Sequence, residues 1–263
     1  MIAKNSMQQR VWASGDLSMV GLGVTLVGEL LCESIPVHAG DYVLDVATGS
    51  GNTALAAARR GCRVTGVDFV PALLERAQER ASAERVKIDF READAEALPF
   101  EDGSFNVVLS TFGAMFASPA LAAGEMLRVC RPGGKIGMAN WAPTGFFGQF
   151  FKLSESYAPL PAGSEPPFDW GVPEITRARF GKAVSDVRFI RRQVIMRHFT
   201  PESWVEFFKT HFGPTLLAHE AAGERAPEFT AAMVELARRY NQSGDETLFV
   251  PADYLEVIAT RAL

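Results

Sequence analysis

An α/β protein built on a doubly wound, mostly parallel sheet is the fold this sequence predicts, and three observations predict it. Between Asp41 and Asn140, five short apolar runs alternate with stretches long enough to be helices. The first run passes into Gly49-Ser50-Gly51 and then straight into a helical pattern. Later helical stretches open with Pro71 and Pro119, a residue suited to the first helical position.

Taken in order, the spacing of Val20, Val24, Val27 and Leu31 predicts one amphipathic N-terminal helix. Strands follow at Tyr42–Val46, Arg63–Val67, Val86–Phe90, Asn106–Ser110 and Lys135–Asn140, with helices at Thr53–Arg60, Pro71–Ala83 and Pro119–Cys130 between them. Arg131-Pro132-Gly133-Gly134 reads as a turn before the fifth strand. Residues 158–173, rich in Pro and Gly, read as a loop, and a helix is expected around Val172–Gly181. Next come a strand at Val187–Phe199, helices at Pro201–His211 and Ala226–Tyr240, and a closing strand at Tyr254–Ala262. The expectation is a seven-stranded sheet of five parallel strands plus an antiparallel closing pair. A helical lid should lie over the strands' carboxyl ends, where open α/β sheets bind ligands.

Composition narrows the function. The chain has 263 residues, is 48% apolar and 22% charged, and carries a net charge of −5. That describes a globular protein of one large domain or one domain with an elaboration. An acidic balance argues against nucleic acid as partner. Cys32, Cys62 and Cys130 are odd in number and widely spaced, which favours a reducing cytoplasm over a disulfide framework. No secretory signal is visible, and the longest apolar candidate, Leu17 to Gly28, is too short for a membrane span of about 20 residues. His38, His198, His211 and His219 show no metal-ligand spacing, so no metal is expected.

The glycine loop in Val43–Ala54, VLDVATGSGNTA, permits positive φ and a close approach of ligand to backbone. Alone it is ambiguous. It fits the dinucleotide pattern GxGxxA, with Asp68 placed to bind a ribose, so an NAD(P)-dependent oxidoreductase is a competing reading. Asp45 points elsewhere, because a fixed negative charge beside the loop favours a cationic ligand over a diphosphate. Asp94-Ala95 adds a second acid near the same edge. No Tyr-x-x-x-Lys pair follows the fourth strand.

With these motifs in order, the segment from Asp41 to Trp141 resembles the class I S-adenosylmethionine-dependent methyltransferases. The likeness is to the small-molecule group that includes the quinone-biosynthesis C-methyltransferases. VLDVATGSG resembles the family's first motif, which implies that Asp45, Ala47, Thr48, Gly49 and Gly51 surround the methionine part of the cofactor. Ala47 stands where a Gly is often found. The resemblance implies that Asp68 and Phe69 lie at the ribose, Asp94 and Ala95 at the adenine, and Ser110, Thr111 and Phe112 near the methionine amine and the sulfonium. Leu98-Pro99-Phe100 and Asp102-Gly103-Ser104-Phe105 match the stretch that leads into the fourth strand. Trp12 and Gly15 are expected in an N-terminal flap, with simple helix anchoring as the alternative for Trp12. Residues 1–40 would form a helical cap, 41–145 with 183–263 the cofactor-binding core, and 146–182 with 200–245 the lid and acceptor elaborations.

The implied reaction is in-line methyl transfer to a small, apolar or aromatic acceptor. A catalytically silent cofactor-binding protein is the non-enzymatic alternative. Fifteen of the 27 aromatic residues lie between Trp141 and Phe212, about twice an even share, so that region should enclose something apolar. At least two of Trp141, Phe146, Phe147, Tyr157 and Trp170 should line the acceptor cavity. Should a base be needed, His198, His211 and Tyr157 are the candidates, although core or surface roles are the first reading of the histidines. Cys62 and Cys130 read as packing residues. The basic stretch Arg177, Arg179, Lys182, Arg188, Arg191, Arg192 and Arg197 reads first as a solvated edge and second as an anion site. Pro166-Pro167-Phe168 resembles the motif of amino-DNA methyltransferases but falls in the wrong place. The acceptor, the atom methylated and the choice between monomer and homodimer stay open at this level.

Overall fold

The structure, a computed structural model, describes residues 2–159 and 165–263, with side chains from Gln8 onward. Seven strands form one sheet: β1 (Tyr42–Val46), β2 (Arg63–Asp68), β3 (Ile88–Glu92), β4 (Phe105–Thr111), β5 (Cys130–Trp141), β6 (Val184–His198) and β7 (Leu248–Arg261). Their order is β3-β2-β1-β4-β5-β7-β6, with β7 antiparallel to both β5 and β6 and the other pairs parallel. This is the doubly wound seven-stranded sheet that the alternation of runs predicts.

Strand periodicity splits the core in two. Val43, Val107 and Leu109 face one cluster with Leu31, Ile35, Ala54 and Ala57, whereas Leu44, Val108, Ile136 and Met138 face the other. The first cluster lies under α3 (Thr25–Ser34) and α4 (Asn52–Arg59). The larger one lies under α6 (Pro119–Val129), α7 (Phe146–Tyr157), α9 (Pro201–His211) and α11 (Ala226–Tyr240). Cys32, Cys62 and Cys130 are buried free thiols within these clusters. Burial pushes the thiol of Cys32 up to about 12 and that of Cys130 to about 11. They pack rather than react.

Several expectations change. The single N-terminal helix is two, α2 (Leu17–Leu22) and α3, after a separate α1 (Ile2–Ala13). Asn52 donates its amide N–H to the Gly21 carbonyl at 2.8 Å, which a continuous helix would offer to Thr25. Val24 N–H instead closes a tight turn onto Gly21. The Arg-Pro-Gly-Gly turn is a bulge inside β5, because Cys130 already pairs with Phe105 before Lys135 pairs with Val107. β7 starts six residues earlier than its alternating pattern shows, and Pro251 explains why. Proline breaks the strand pattern, yet Pro251 pairs only with Ile195 of β6, beyond the last β5–β7 pair at Trp141 and Tyr254. The reading also gave no element to α7 or to α10 (Gly213–Ala222). Of the loop expected over 158–173, residues 160–164 lie outside the described residues; Pro167–Gly171 forms a 3-10 turn, followed by α8 (Pro173–Phe180).

Five of the seven cations of the basic stretch serve structure. Arg192 Nε donates to the fully buried Glu256 carboxylate at 2.9 Å, and its Nη2 reaches Ser34 Oγ at 2.9 Å. Arg188 bonds the Ser34 carbonyl on the same face, while Arg177, Arg179 and Arg197 stack over Phe189, Trp170 and Phe249.

Trp170 is fully buried beside Phe180, 5.8 Å between ring centroids, and is a core residue rather than a cavity residue. Trp170→Ala should therefore cost about 3–5 kcal/mol of stability. Chemical denaturation measures this; a loss below about 1 kcal/mol would show that the ring carries no core packing.

Candidate functional site

A cavity opens at the carboxyl ends of β1, β2 and β4, where the parallel order reverses. Its floor is polar. β1 ends in Asp45-Val46, and the chain turns through Ala47, Thr48 and Gly49 into α4. Asp45 is buried and closes this turn: its Oδ2 accepts the Thr48 hydroxyl at 2.6 Å and the Ala54 N–H at 2.9 Å. Its Oδ1 has no hydrogen-bond partner. Burial raises this carboxyl to about 7, aided by the nearby Asp68 charge and opposed by those two hydrogen bonds.

Asp68, at the end of β2, accepts Gly49 N–H on Oδ2 at 2.8 Å and Val70 N–H on Oδ1 at 3.0 Å. Burial also raises its carboxyl above the ordinary value, against these backbone donors. Each oxygen retains a further lone pair for a ligand. Asp94 closes a small turn by accepting Glu96 N–H at 2.8 Å. Glu96 in turn accepts Ser118 N–H at 2.7 Å. Gly49 has φ +53°, and a Cβ built there meets nothing within 4 Å. The backbone therefore presents an open face to the cavity, as a closely approaching ligand requires.

The opposite side of the cavity is aromatic. Phe112 stacks on Trp141 at 3.7 Å between centroids, and Trp141 touches Phe147 at 4.3 Å. The chain of rings runs on through Phe208 and Phe212 to Trp12 and Phe116, with Phe151 joining Phe116 to Phe212. All eight rings line the cavity. Gln9 donates to the Phe69 carbonyl at 2.6 Å and Gln8 to that of Phe116, which ties α1 across the site.

Of the fourteen residues expected at the cofactor, Trp12, Asp45, Ala47, Thr48, Gly49, Asp68, Phe69, Asp94, Ala95, Thr111 and Phe112 line this one cavity. Three do not. Gly15 packs on the His211 carbonyl, 2.7 Å from where its Cβ would sit. Gly51 starts α4 with φ +86° and packs on Ala77 of α5 (Pro71–Glu84). Ser110 is buried and spans the strands, donating to the Val46 carbonyl at 2.8 Å and accepting Ala114 N–H at 2.9 Å.

None of the three candidate bases reaches the cavity. His198 Nδ1 lies 2.6 Å from Ser203 Oγ in the capping box of α9, and burial lowers its pKa. His211 ends α9 with its ring against Phe207 and its carbonyl accepting Asp16 N–H. Tyr157 stacks on Phe229 and donates to Glu228. Of the five aromatic residues expected around an acceptor, Trp141 and Phe147 line the cavity, whereas Phe146 packs between Trp204 and Tyr240. Sequence reasoning missed Gln8, Glu96, Phe116, Phe151 and Met196; the aromatic excess signalled only the second half of the wall.

The matches to known proteins agree with this geometry. A family model described as a methyltransferase domain matches residues 43–134. An uncharacterized protein of Mycobacterium tuberculosis is 40% identical over 240 residues, 88% of this chain and 87% of that protein. A demethylmenaquinone methyltransferase of Thermus thermophilus is 41% identical over 116 residues, 42% of this chain and 53% of that enzyme. Among solved structures, the YcgJ protein of Bacillus subtilis aligns with a TM-score of 0.61 at 18% identity, over 90% of this chain and 98% of that one. A geranyl diphosphate methyltransferase in complex with S-adenosylmethionine aligns with a TM-score of 0.53 at 18% identity, over 90% of this chain and 85% of that one. At such identities the two structures speak for the fold. Fold, matched domain and ordered motifs converge, and the chain belongs to the class I S-adenosylmethionine-dependent methyltransferases.

Proposed function

We propose that the protein transfers a methyl group from S-adenosylmethionine to a small apolar or aromatic acceptor. The observation that carries this reading is the division of one cavity into a carboxylate floor and an aromatic wall. The floor suits the cofactor on two counts. The unpartnered Asp45 oxygen is a place for positive charge, and the open face at Gly49 leaves room for a ligand against the backbone. Asp68 would hold the ribose hydroxyls and Asp94 the adenine amine.

A dinucleotide fits less well. The amides that a diphosphate would use are committed: Gly49 N–H to Asp68, Gly51 N–H to the Thr48 carbonyl and Ala54 N–H to Asp45. Among the described lining residues there is also no Lys or Arg.

When bound, the cofactor supplies an electrophilic methyl on a sulfonium. The chain's own task is to place the acceptor in line with that methyl and to exclude water. Phe112, at the junction of floor and wall, would orient the acceptor; Trp141, Phe147 and Phe151 would shape its pocket. No lining His, Lys, Tyr or Cys is present among the described residues, so an acceptor that needs little help with deprotonation suits the wall best.

Thermal-shift measurement with S-adenosylhomocysteine, NADH and buffer is the direct test of the cofactor. A ligand at 100 times its Kd should add about 2.7 kcal/mol, and stabilisation by NADH alone would reverse the assignment. Turnover on a panel of apolar and aromatic acceptors then separates an enzyme from a silent binder.

Asp68→Ala should weaken S-adenosylmethionine binding by about 1.5–3 kcal/mol by calorimetry. Unchanged affinity would remove Asp68 from the ribose. Gly49→Ala should place a methyl in the cavity and cost about 1–2 kcal/mol of stability through its left-handed backbone, with S-adenosylhomocysteine affinity falling at least tenfold. Normal binding would mean that the loop does not touch the cofactor.

The buried Asp45 makes binding pH-dependent. Burial pushes its carboxyl up to about 7, against 3.8 when exposed in the unfolded chain, so the native state holds the extra proton between those values. Stability from this group is full below pH 4 and is lost as pH rises through 7. A cationic ligand favours the ionised form, so S-adenosylmethionine affinity should rise between pH 6 and 8 with release of a proton. Calorimetry in buffers of different ionisation enthalpy reads that proton. Asp45→Asn should flatten the profile, and an unchanged profile would place the cation elsewhere.

A further inference from the structure

We propose that Arg80 is a positioning residue that couples the glycine loop to α2, so that occupancy of the loop and closure of the cavity wall move together. The inference rests on the cofactor reading of the loop. Arg80 lies on α5, outside the cavity, and its Nη1 donates to the Ser50 carbonyl at 2.6 Å, to Ser50 Oγ at 3.2 Å and to Asn52 Oδ1 at 2.8 Å. Asn52 passes the link on, donating its Nδ2–H to the Gly21 carbonyl of α2 at 2.8 Å. One guanidinium thus fixes both the backbone of the loop and the orientation of the amide that holds α2.

A second grip lies one turn earlier on the same face of α5. The Cβ of Ala77 sits 3.1 Å from where a Gly51 Cβ would be, so α5 holds the loop at Gly51 as well as at Ser50 and Asn52. At the far end of the relay, Leu17, Val20 and Gly21 of α2 line the cavity with the loop residues Gly49 and Ser50. The same Asn52 bond occupies the carbonyl at which α2 and α3 separate, so α2 depends on the loop for its position. A ligand that draws in Gly49 and Ser50 therefore acts on α2 through two hydrogen-bonded side chains rather than through the distant sheet.

The experiment is amide hydrogen exchange over residues 17–24, with and without saturating S-adenosylhomocysteine, on the full chain and on Arg80→Met, Arg80→Lys and Asn52→Ala. In the unaltered protein the ligand should slow exchange in this segment. Arg80→Met should bind the ligand at least tenfold more weakly and lose that slowing even at saturation. Arg80→Lys should restore part of it. Asn52→Ala keeps Arg80 on Ser50 and should still lose the slowing, and it carries the test should Arg80→Met fail to fold. A purely structural Arg80 would lower stability and affinity yet leave the ligand-induced slowing in place, and that result overturns the proposal. If the unaltered protein does not bind S-adenosylhomocysteine, the cofactor reading fails instead. The relay is then judged on ligand-free exchange: faster exchange of 17–24 in both Arg80→Met and Asn52→Ala supports it, and unchanged rates overturn it.

Discussion

One buried carboxylate organises the site. Asp45 sits at the end of a central strand, and a single oxygen of its side chain ties together Thr48 in the turn and Ala54 in the first turn of α4. Holding a carboxylate there is unfavourable in itself, which is why its pKa rises to about 7. The chain tolerates the cost because those donors would otherwise be unmet at a buried helix start. A helix closed from within by its own carboxylate attracts a cation and repels a phosphate. On the proposed reading, that one side chain selects for a cationic ligand.

Strain gathers around the same point. Ala47 and Phe112 both adopt left-handed backbone, φ +54° and +57°, at the carboxyl ends of the neighbouring strands β1 and β4. Each costs on the order of 1–3 kcal/mol. Close contact accounts for the pair: a Cβ on Gly113 would lie 2.5 Å from the Ala47 Cβ, so the two turns interlock. Phe112 is held by its N–H to the Ala139 carbonyl at 2.9 Å and by the stack on Trp141. The ring that joins floor to wall is therefore held by the protein's own contacts, which is the preorganisation that the proposed positioning mechanism requires.

The fold was legible where local rules and tertiary structure agree. β1 coincides with its apolar run, and α5 and α6 start at the prolines that announce them. Legibility fails where a distant contact overrides the local pattern. The break between α2 and α3 depends on Asn52, some thirty residues away, and β7 runs through Pro251 only because β5 has already ended there. In the site, motif residues of the first half were readable because they act through backbone turns and strand ends. Phe116, Phe151 and Met196 were not, since nothing in their spacing says which of many buried aromatic and apolar side chains faces the cavity. His198 shows the converse. A conspicuous residue type suggested chemistry, while its ring is engaged with the capping box of α9.

The two halves of the chain thus carry different kinds of information. Residues 41–113 build a floor whose acids and glycines fall in a fixed order along the strands, the order the proposed cofactor would require. The wall comes from α1, the segment after β4, the end of β5, α7, α9 and Phe212 just after it, whose rings are interchangeable in kind and fixed only by packing. A demethylmenaquinone methyltransferase matches less than half of this chain, while the mycobacterial relative matches nearly all of it. On the proposed function, acceptor choice would reside in the wall. Because eight rings touch in sequence around it, changing one alters the packing of its neighbours, and on that proposal acceptor preference would belong to the aromatic ring set as a whole.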